Sequence, residues 1–338
     1  MKSISSLSRS AILVGIALAT FVAGVLADAH TERHDVCTFS IVARDSVTGE
    51  CGVAVASRFF AVGSVVPWAR AGVGAVATQA YANTTFGPNG LELLGEGKSA
   101  QEVVDALIAG DDKPDRRQLG IVDATGRSAS HTGLGCLAWA GSRSGPNYAI
   151  QGNILAGEQV VDAMERAFLS TDGTLADRLY ATLVAGEKAG GDSRGKQSAA
   201  MLVVREGAGY GGYTDRAIDI RVDDHAEPFV ELGRLLQLAQ VNYAWNDAWT
   251  LFTRERFAEA LPFMERAAAL APDYGEVLYD LAVIRLANDD RTGALEAIGR
   301  AFTLNPKLVD AAMKDDDLSG LHADDTFLSL VGQLTGDQ

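Results

Sequence analysis

Residues 38–57 read TFSIVARDSVTGECGVAVAS. Phe39, Ile41 and Ala43 alternate with Ser40, Val42 and Arg44, the two-residue period of a strand whose faces meet different surroundings. Asp45–Glu50 is rich in turn formers, and Gly52–Ser57 is a second apolar run of strand length. Two such runs around a turn spell a β-hairpin. Strand patterns recur over Gly72–Thr78, Gln118–Asp123, Tyr148–Gln151, Ser198–Val204 and Ala217–Val222. Between them lie helical patterns. Ser99 is a candidate N-cap with Glu102 three residues on, followed by Val103, Val104, Leu107 and Ile108. Gly157–Leu169 and Leu175–Ala185 read as two more helices. Strands interleaved with paired helices predict an α+β layered sandwich.

Composition narrows the function. The 338 residues carry 44 acidic and 29 basic side chains, a formal charge of −15, and 47% are hydrophobic. That apolar content supports folded cores rather than disorder. The acidic balance argues against a nucleic-acid binder, which needs a basic face to neutralise phosphates. Three cysteines, Cys37, Cys51 and Cys136, are too few for a disulfide framework and lack zinc-site spacing.

The first 27 residues carry an export pattern. Lys2 and Arg9 precede an apolar or small-residue run from Ala11 to Ala27, and Val25–Ala27 and Ala27–Ala29 both offer small-x-small cleavage positions. The expectation is a signal peptide over 1–27, a leader remnant over 28–37, and a periplasmic or secreted mature protein without stable membrane association. A run of about 17 residues is at the lower limit for spanning a bilayer.

The chain changes character near residue 240. Beyond it Gly is scarce and a repeat appears at an offset of 34: Ala248 with Ala282, Ala260 with Ala294, Ala267 with Ala301, Leu261 with Leu295, Leu270 with Leu304, and Pro272 with Pro306. Small residues where helices cross, and Pro ending each second helix, resemble tetratricopeptide repeats. Residues 239–338 are therefore expected to form an all-α repeat domain, with Lys307–Gly332 as a capping segment, and 38–238 the sandwich domain.

The first domain bears the family resemblance. Thr38–Asp45, Gly52–Arg58, Gly74–Gln79, QGNILAG at 151–157 and GGDSRGKQSA at 190–199 closely resemble the family called domain of unknown function 1028, in the N-terminal-nucleophile (Ntn) hydrolase superfamily. The resemblance runs from Thr38 to His225. It implies a four-layer αββα sandwich with Thr38 at the start of a central strand. It also implies that the hydroxyl of an N-terminal Thr38 attacks an amide carbonyl while its own α-amine takes the proton. An α-amine suits the task because its pKa lies near 7.7–8.0. Such chemistry needs no separate His and no Gly-x-Ser-x-Gly elbow, and the chain has five His and no such elbow.

Two features complicate this reading. In the sequence as written, Cys37 precedes Thr38, so a second cleavage must free the amine; an N-to-O acyl shift is one route. Cys37 is also a rival nucleophile, displaced by one position from the resemblance. Further candidates are Asn153, as an oxyanion donor or a left-handed turn residue, and Arg58, lowering the amine pKa, holding a substrate carboxylate, or forming a structural ion pair. Ser57, Gln79 and Asn83 are candidate substrate-binding residues, or strand-end hydrogen-bonding groups. Arg194 and Lys196 suit either an anion or a solvated turn. Asp223-Asp224-His225 alternate faces on a strand, poor geometry for one ion. His30 and His34 have helical ligand spacing within the leader remnant. Gly207–Gly212 lacks a Walker lysine and reads as a hairpin turn. No metal and no cofactor are expected.

The expected function is an exported Ntn-type amidohydrolase acting on a C–N bond of a small amide or peptide. The alternative is a non-catalytic scaffold: an inactive Ntn fold whose repeats bind a partner peptide or a second copy.

Overall fold

A computed structural model of the chain describes residues 38–335. The signal and leader expectations, with His30, His34 and Cys37, lie outside the described residues. Among the described residues no helix is long and apolar enough to cross a membrane.

The opening hairpin forms as its period requires. Strands β1 (Thr38–Arg44) and β2 (Cys51–Ser57) pair antiparallel in unbroken register from Thr38–Ser57 to Arg44–Cys51. Asp45 fastens the turn: its Oδ1 accepts the backbone N–H of Val47 and of Thr48, each at 2.8 Å. Further strands follow as β3 (Pro67–Arg70), β4 (Gly74–Ala80), β5 (Arg117–Asp123), β6 (Ser128–Thr132), β7 (Gly141–Gly145), β8 (Tyr148–Asn153), β9 (Ser198–Val204) and β10 (Arg216–Val222). They make a six-stranded sheet in the order β10-β9-β2-β1-β8-β7 and a four-stranded sheet in the order β3-β4-β5-β6. β1 is thus interior to the larger sheet.

Strand alternation sorts side chains into separate cores. Phe39, Ile41 and Ala43 face one way and pack with Val160, Met164 and Phe168 of α3 (Gln159–Ser170) and Leu179 and Leu183 of α4 (Leu175–Lys188). Val42, Val53 and Val55 face the other way and meet Ala75, Ala77 and Val122 of the second sheet. The outer face of that sheet packs Val76, Leu119 and Ile121 against α1 (Phe86–Gly95) and α2 (Ala100–Ala109). Ser99 caps α2 with Glu102 in a reciprocal capping box, as its spacing predicts.

Four elements were not evident in sequence. β6 (SASHT) and β7 (GSRSG) have no apolar alternation to read. β3 is a four-residue edge strand opening on Pro. α1, FGPNGLELLG, contains Pro and three Gly, which propensity disfavours in a helix. Packing explains one of them: a Cβ at Gly87 would lie 2.2 Å from the Trp68 ring, so only Gly lets the helix approach.

Helix α5 (Pro228–Phe252) runs through the boundary expected at 238/239. Its first turns place Phe229, Leu232 and Leu236 in the sheet core, and its later turns place Val241, Ala244 and Ala248 in a separate helical core. The second core is completed by α6 (Phe257–Leu270), α7 (Gly275–Ala287) and α8 (Arg291–Leu304). Ala248, Ala260, Ala267, Ala282, Ala294 and Ala301 are all completely buried, as close helix crossings demand. Pro272 and Pro306 lie just beyond the ends of α6 and α8. α9 (Leu308–Ala312) and α10 (Asp325–Thr335) close the stack, with Phe327 buried against Phe302.

A polar lock fastens the later half of α5 to the turn end of the large sheet. Arg205 donates to the Tyr243 hydroxyl (2.8 Å) and to Asp247 (3.0 Å), and the Tyr243 hydroxyl donates to Glu50 (3.0 Å). Burial pushes the Tyr243 hydroxyl and the Asp247 carboxyl above their ordinary values, with Arg205 opposing both shifts.

Candidate active site

The inner face of the six-stranded sheet changes along its length. At the turn end it presents Val42, Val53 and Leu202; at the other end the same period brings Thr38, Ser57, Asn153 and Ser198. Thr38 stands opposite Ser57 on one side and Asn153 on the other, and Ser57 stands opposite Ser198. All four are buried. The Thr38 hydroxyl donates to the Ser57 hydroxyl at 3.3 Å. The Ser198 hydroxyl donates to the Phe59 carbonyl and accepts the Val62 N–H, fixing the chain that leaves β2.

Beneath this row lies a network of buried amides between the sheets. Gln79 Nε2 donates to the Thr38 carbonyl (3.1 Å) and to Gln118 Oε1 (2.8 Å), while Gln79 Oε1 accepts the Ser40 hydroxyl (2.6 Å). Gln118 Oε1 also accepts Asn153 Nδ2 at 2.9 Å, and its own amide donates to the Gly152 carbonyl at 2.8 Å. Gln118 is therefore the hub that sets both Asn153 and, through Gln79, the first residue of β1. Gln151 donates to Ser40, and its Oε1 lies where a Cβ on residue 120 would fall, 1.9 Å away, which is why that position is Gly120. Gln151 Oε1 itself has no hydrogen-bond partner among the described residues, whereas Gln79 and Gln118 are bonded at both ends of their amides and so fix their neighbours in place.

The rim is built by the loop before β9. Asp192 is 4% exposed and accepts the Arg58 N–H (2.9 Å), the Arg194 N–H (2.9 Å) and the Arg194 guanidinium (3.0 Å). The Arg58 guanidinium donates to the Arg194 carbonyl at 3.1 Å and is exposed. The next residue after Asn153, Ile154, has φ 52°, a left-handed backbone that a branched residue adopts only under constraint. Its carbonyl accepts the Ser193 N–H and its N–H donates to the Leu137 carbonyl.

The structure therefore brings together Thr38, Ser57, Asn153, Gln79 and Arg58 at one sheet end. Asn83 is bonded to other groups: its Nδ2 donates to Asp111 and its Oδ1 accepts the Thr85 N–H, so it organises the start of α1. Burial raises the Asp111 carboxyl, but the bonds from Arg117, Asn83 and Lys113 outweigh it and hold the group below its ordinary value. Gln79 spends its amide on protein groups and positions β1. Sequence reasoning did not single out Ser40, Gln118, Gln151 or Asp192. The alternation of Gln118 and Gln151 on otherwise apolar strands was the available signal, because buried polar groups on a core face need a reason.

Lys196 is paired with Glu227 and Glu187. Asp223, Asp224 and His225 have separate partners: Ala61 N–H on the Asp223 carbonyl, Gln197 on Asp224, and Glu227 N–H on His225. No group of three or more His, Cys, Asp or Glu suited to a metal ion occurs among the described residues. Gly207–Gly212 forms the β9–β10 connection.

The family model described as a family of unknown function, DUF1028, matches residues 38–232, and a tetratricopeptide repeat model matches residues 251–315. The chain belongs to the DUF1028 family. A crystal structure of a DUF1028 protein from Silicibacter pomeroyi is similar over 60% of this chain and 89% of that one, with 32% identity and a TM-score of 0.56. No curated protein matches.

Proposed function

We propose that this protein is an exported Ntn-type amidohydrolase whose nucleophile is Thr38, freed at its amine by removal of the preceding residues. The observation that carries the reading is the place of Thr38. It lies on an interior strand and is the first residue of the family match, with its hydroxyl on Ser57 and Asn153 directly opposite. Two stacked sheets with helices packed outside each are consistent with the αββα layering of Ntn hydrolases.

The chemistry follows from the positions. The free α-amine of Thr38 takes the hydroxyl proton as Oγ1 forms a bond to the amide carbon. Asn153 and nearby backbone donors bear the oxyanion charge. The amine then gives the proton to the leaving nitrogen as the C–N bond breaks, leaving an ester on Oγ1. Water, deprotonated by the same amine, hydrolyses that ester. Arg58 at the rim suits a substrate carboxylate, and the deep amide network keeps the strand start fixed.

The rival scaffold reading rests on the second match, because tetratricopeptide repeats commonly mediate protein–protein contacts. The two separate by covalent trapping. Mass spectrometry after exposure of the mature protein to a β-lactone should find one ester adduct, on Thr38. Thr38→Ser should keep the adduct and Thr38→Ala should lose it. A folded mature protein that never acylates at residue 38, and hydrolyses no amide in a broad anilide panel, sinks the enzyme reading.

A further inference from the structure

A groove lies toward the opposite end of the large sheet from Thr38. It has a volume of about 920 Å³ and lies between β10, the β9–β10 connection and the later half of α5. β9 runs from Ser198, opposite Ser57, to Val204, opposite Cys51, so the connection that follows emerges at the turn end of the sheet. The groove therefore belongs to neither the candidate nucleophile nor its rim.

Three observations define what fits it. First, β10 is the edge of the six-stranded sheet, with β9 as its sole strand neighbour. Among the described residues no other backbone or side-chain group hydrogen-bonds its main chain. Ile218, Asp219 and Ile220, consecutive on that strand, all line the groove. Consecutive strand residues point to opposite faces, so a groove touching all three runs along the open edge rather than over a face. Such an edge is a template for another strand.

Second, the wall across from the edge is aromatic. Trp245 and Trp249 of α5 line it, and both indole N–H groups are already committed to Asp280 Oδ2, at 2.6 and 2.5 Å. What they offer an occupant is apolar ring surface. Tyr210 and Tyr213 stand at the mouth, 87% and 89% exposed, with no packing role to explain them. Asn246 spends its amide on Gly209 and Gly211 and so braces the connection against the helix.

Third, charge selects. The groove's own Arg216 and Asp219 neutralise each other at 2.5 Å. The exposed acids Glu206 and Asp215 flank the lining residues, Arg254 beside Gly212 and the exposed Arg221 of β10 are cations nearby, and the sign of the wider field is set by the chain as a whole, which carries −15. A field of that sign favours neutral or basic partners and repels a second copy of the same acidic chain.

We propose that the groove between β10 and α5 takes an extended, neutral to basic peptide as a seventh strand beside β10, its alternate apolar side chains packing on Trp245 and Trp249. The register shift between Arg216 and Ile218 limits pairing to the Ile218–Val222 stretch. Main-chain bonds would supply affinity, and the aromatic wall would supply selectivity.

The test uses the full chain and an acetylated, amidated heptapeptide alternating Lys and Val. Expected are saturable binding read by tryptophan fluorescence and slowed amide exchange confined to Ile218–Val222. N-methylation of the peptide on alternate amides, which removes one pairing edge and leaves the protein untouched, should weaken binding by at least about tenfold. Tyr210→Ala with Tyr213→Ala, both at exposed positions, should weaken it about threefold or more without lowering the melting temperature. The matching Glu–Val peptide should bind more weakly, with the difference shrinking in salt. Equal binding of both N-methylated registers would overturn the proposal in favour of plain apolar adsorption. No binding at about 1 mM would overturn it as well, as would edge protection that rises with protein concentration without peptide, which would make the occupant a second copy.

Discussion

The Thr38 hydroxyl donates to the Ser57 hydroxyl across 3.3 Å, from strand positions that face each other residue for residue. Ser57 is thus placed to orient the proposed nucleophile. Ser57→Ala should fold normally and lower amide hydrolysis about 10- to 100-fold, the rate equivalent of one oriented hydrogen bond worth about 1.4–2.7 kcal/mol. Steady-state rates and melting temperature, measured together, check it.

Gln118 should matter for stability as much as for geometry. Gln118→Leu strips partners from Gln79, Asn153 and the Gly152 carbonyl at once, all in a buried setting. The expected loss is about 2–4 kcal/mol, from leaving several buried polar groups unsatisfied. Urea unfolding reads the loss directly. A variant within about 0.5 kcal/mol of wild type would mean the network is not the organiser described.

The repeat region should respond to pH through Asp280. Burial pushes its carboxyl from an ordinary 3.8 up to about 6, against the opposing pull of the two indole donors and with Asp315 and Glu276 adding repulsion. A folded-state value above the unfolded one means the folded state holds the proton more tightly. The stabilising contribution is therefore fully present below about pH 4 and is lost as pH rises to about 6. Urea midpoints of wild type should fall over this window relative to Asp280→Asn, whose profile should be flatter there. Parallel profiles would contradict the assignment.

The buried alanines of the repeat define another limit. Ala267→Leu inserts three extra carbons where α6 is fully enclosed. Overpacking of this kind costs about 1–3 kcal/mol. Because α5 serves both cores, the loss should appear in a single transition that includes the sheet domain. Two separated transitions, by circular dichroism and by amide exchange, would show that the helix does not couple them.

Much of the fold was legible because strong periodicity reports burial. The hairpin at 38–57, the capped helix after Ser99, β9 and the 34-residue alanine register could each be read without structure. β6, β7 and α1 could not, because their residues are small, polar or helix-breaking and their conformations are imposed by neighbours such as Trp68. The site divides the same way. Thr38, Ser57 and Asn153 sit at strand ends within quoted blocks, and the register aligns them. Asn83 was grouped with them from the sequence, which could not show that its amide is bonded to Asp111. Asp192 lay within GGDSRG yet drew no attention, since its value comes from receiving the Arg58 N–H, 134 residues away in sequence. The shared helix α5 was invisible because a boundary drawn from composition cannot reveal that one continuous helix serves both sides.

The central claim is that Thr38 becomes the first residue of the working protein. Intact mass and terminal sequencing of the mature chain, for wild type and Thr38→Ala, test it most directly. The account predicts a wild-type chain that begins at Thr38 and acylates there, and a Thr38→Ala chain that does not acylate, with retained upstream residues if the cleavage is autocatalytic. A fully functional wild-type protein that begins at Asp28 or His30, with Thr38 still in peptide linkage to Cys37, would contradict it.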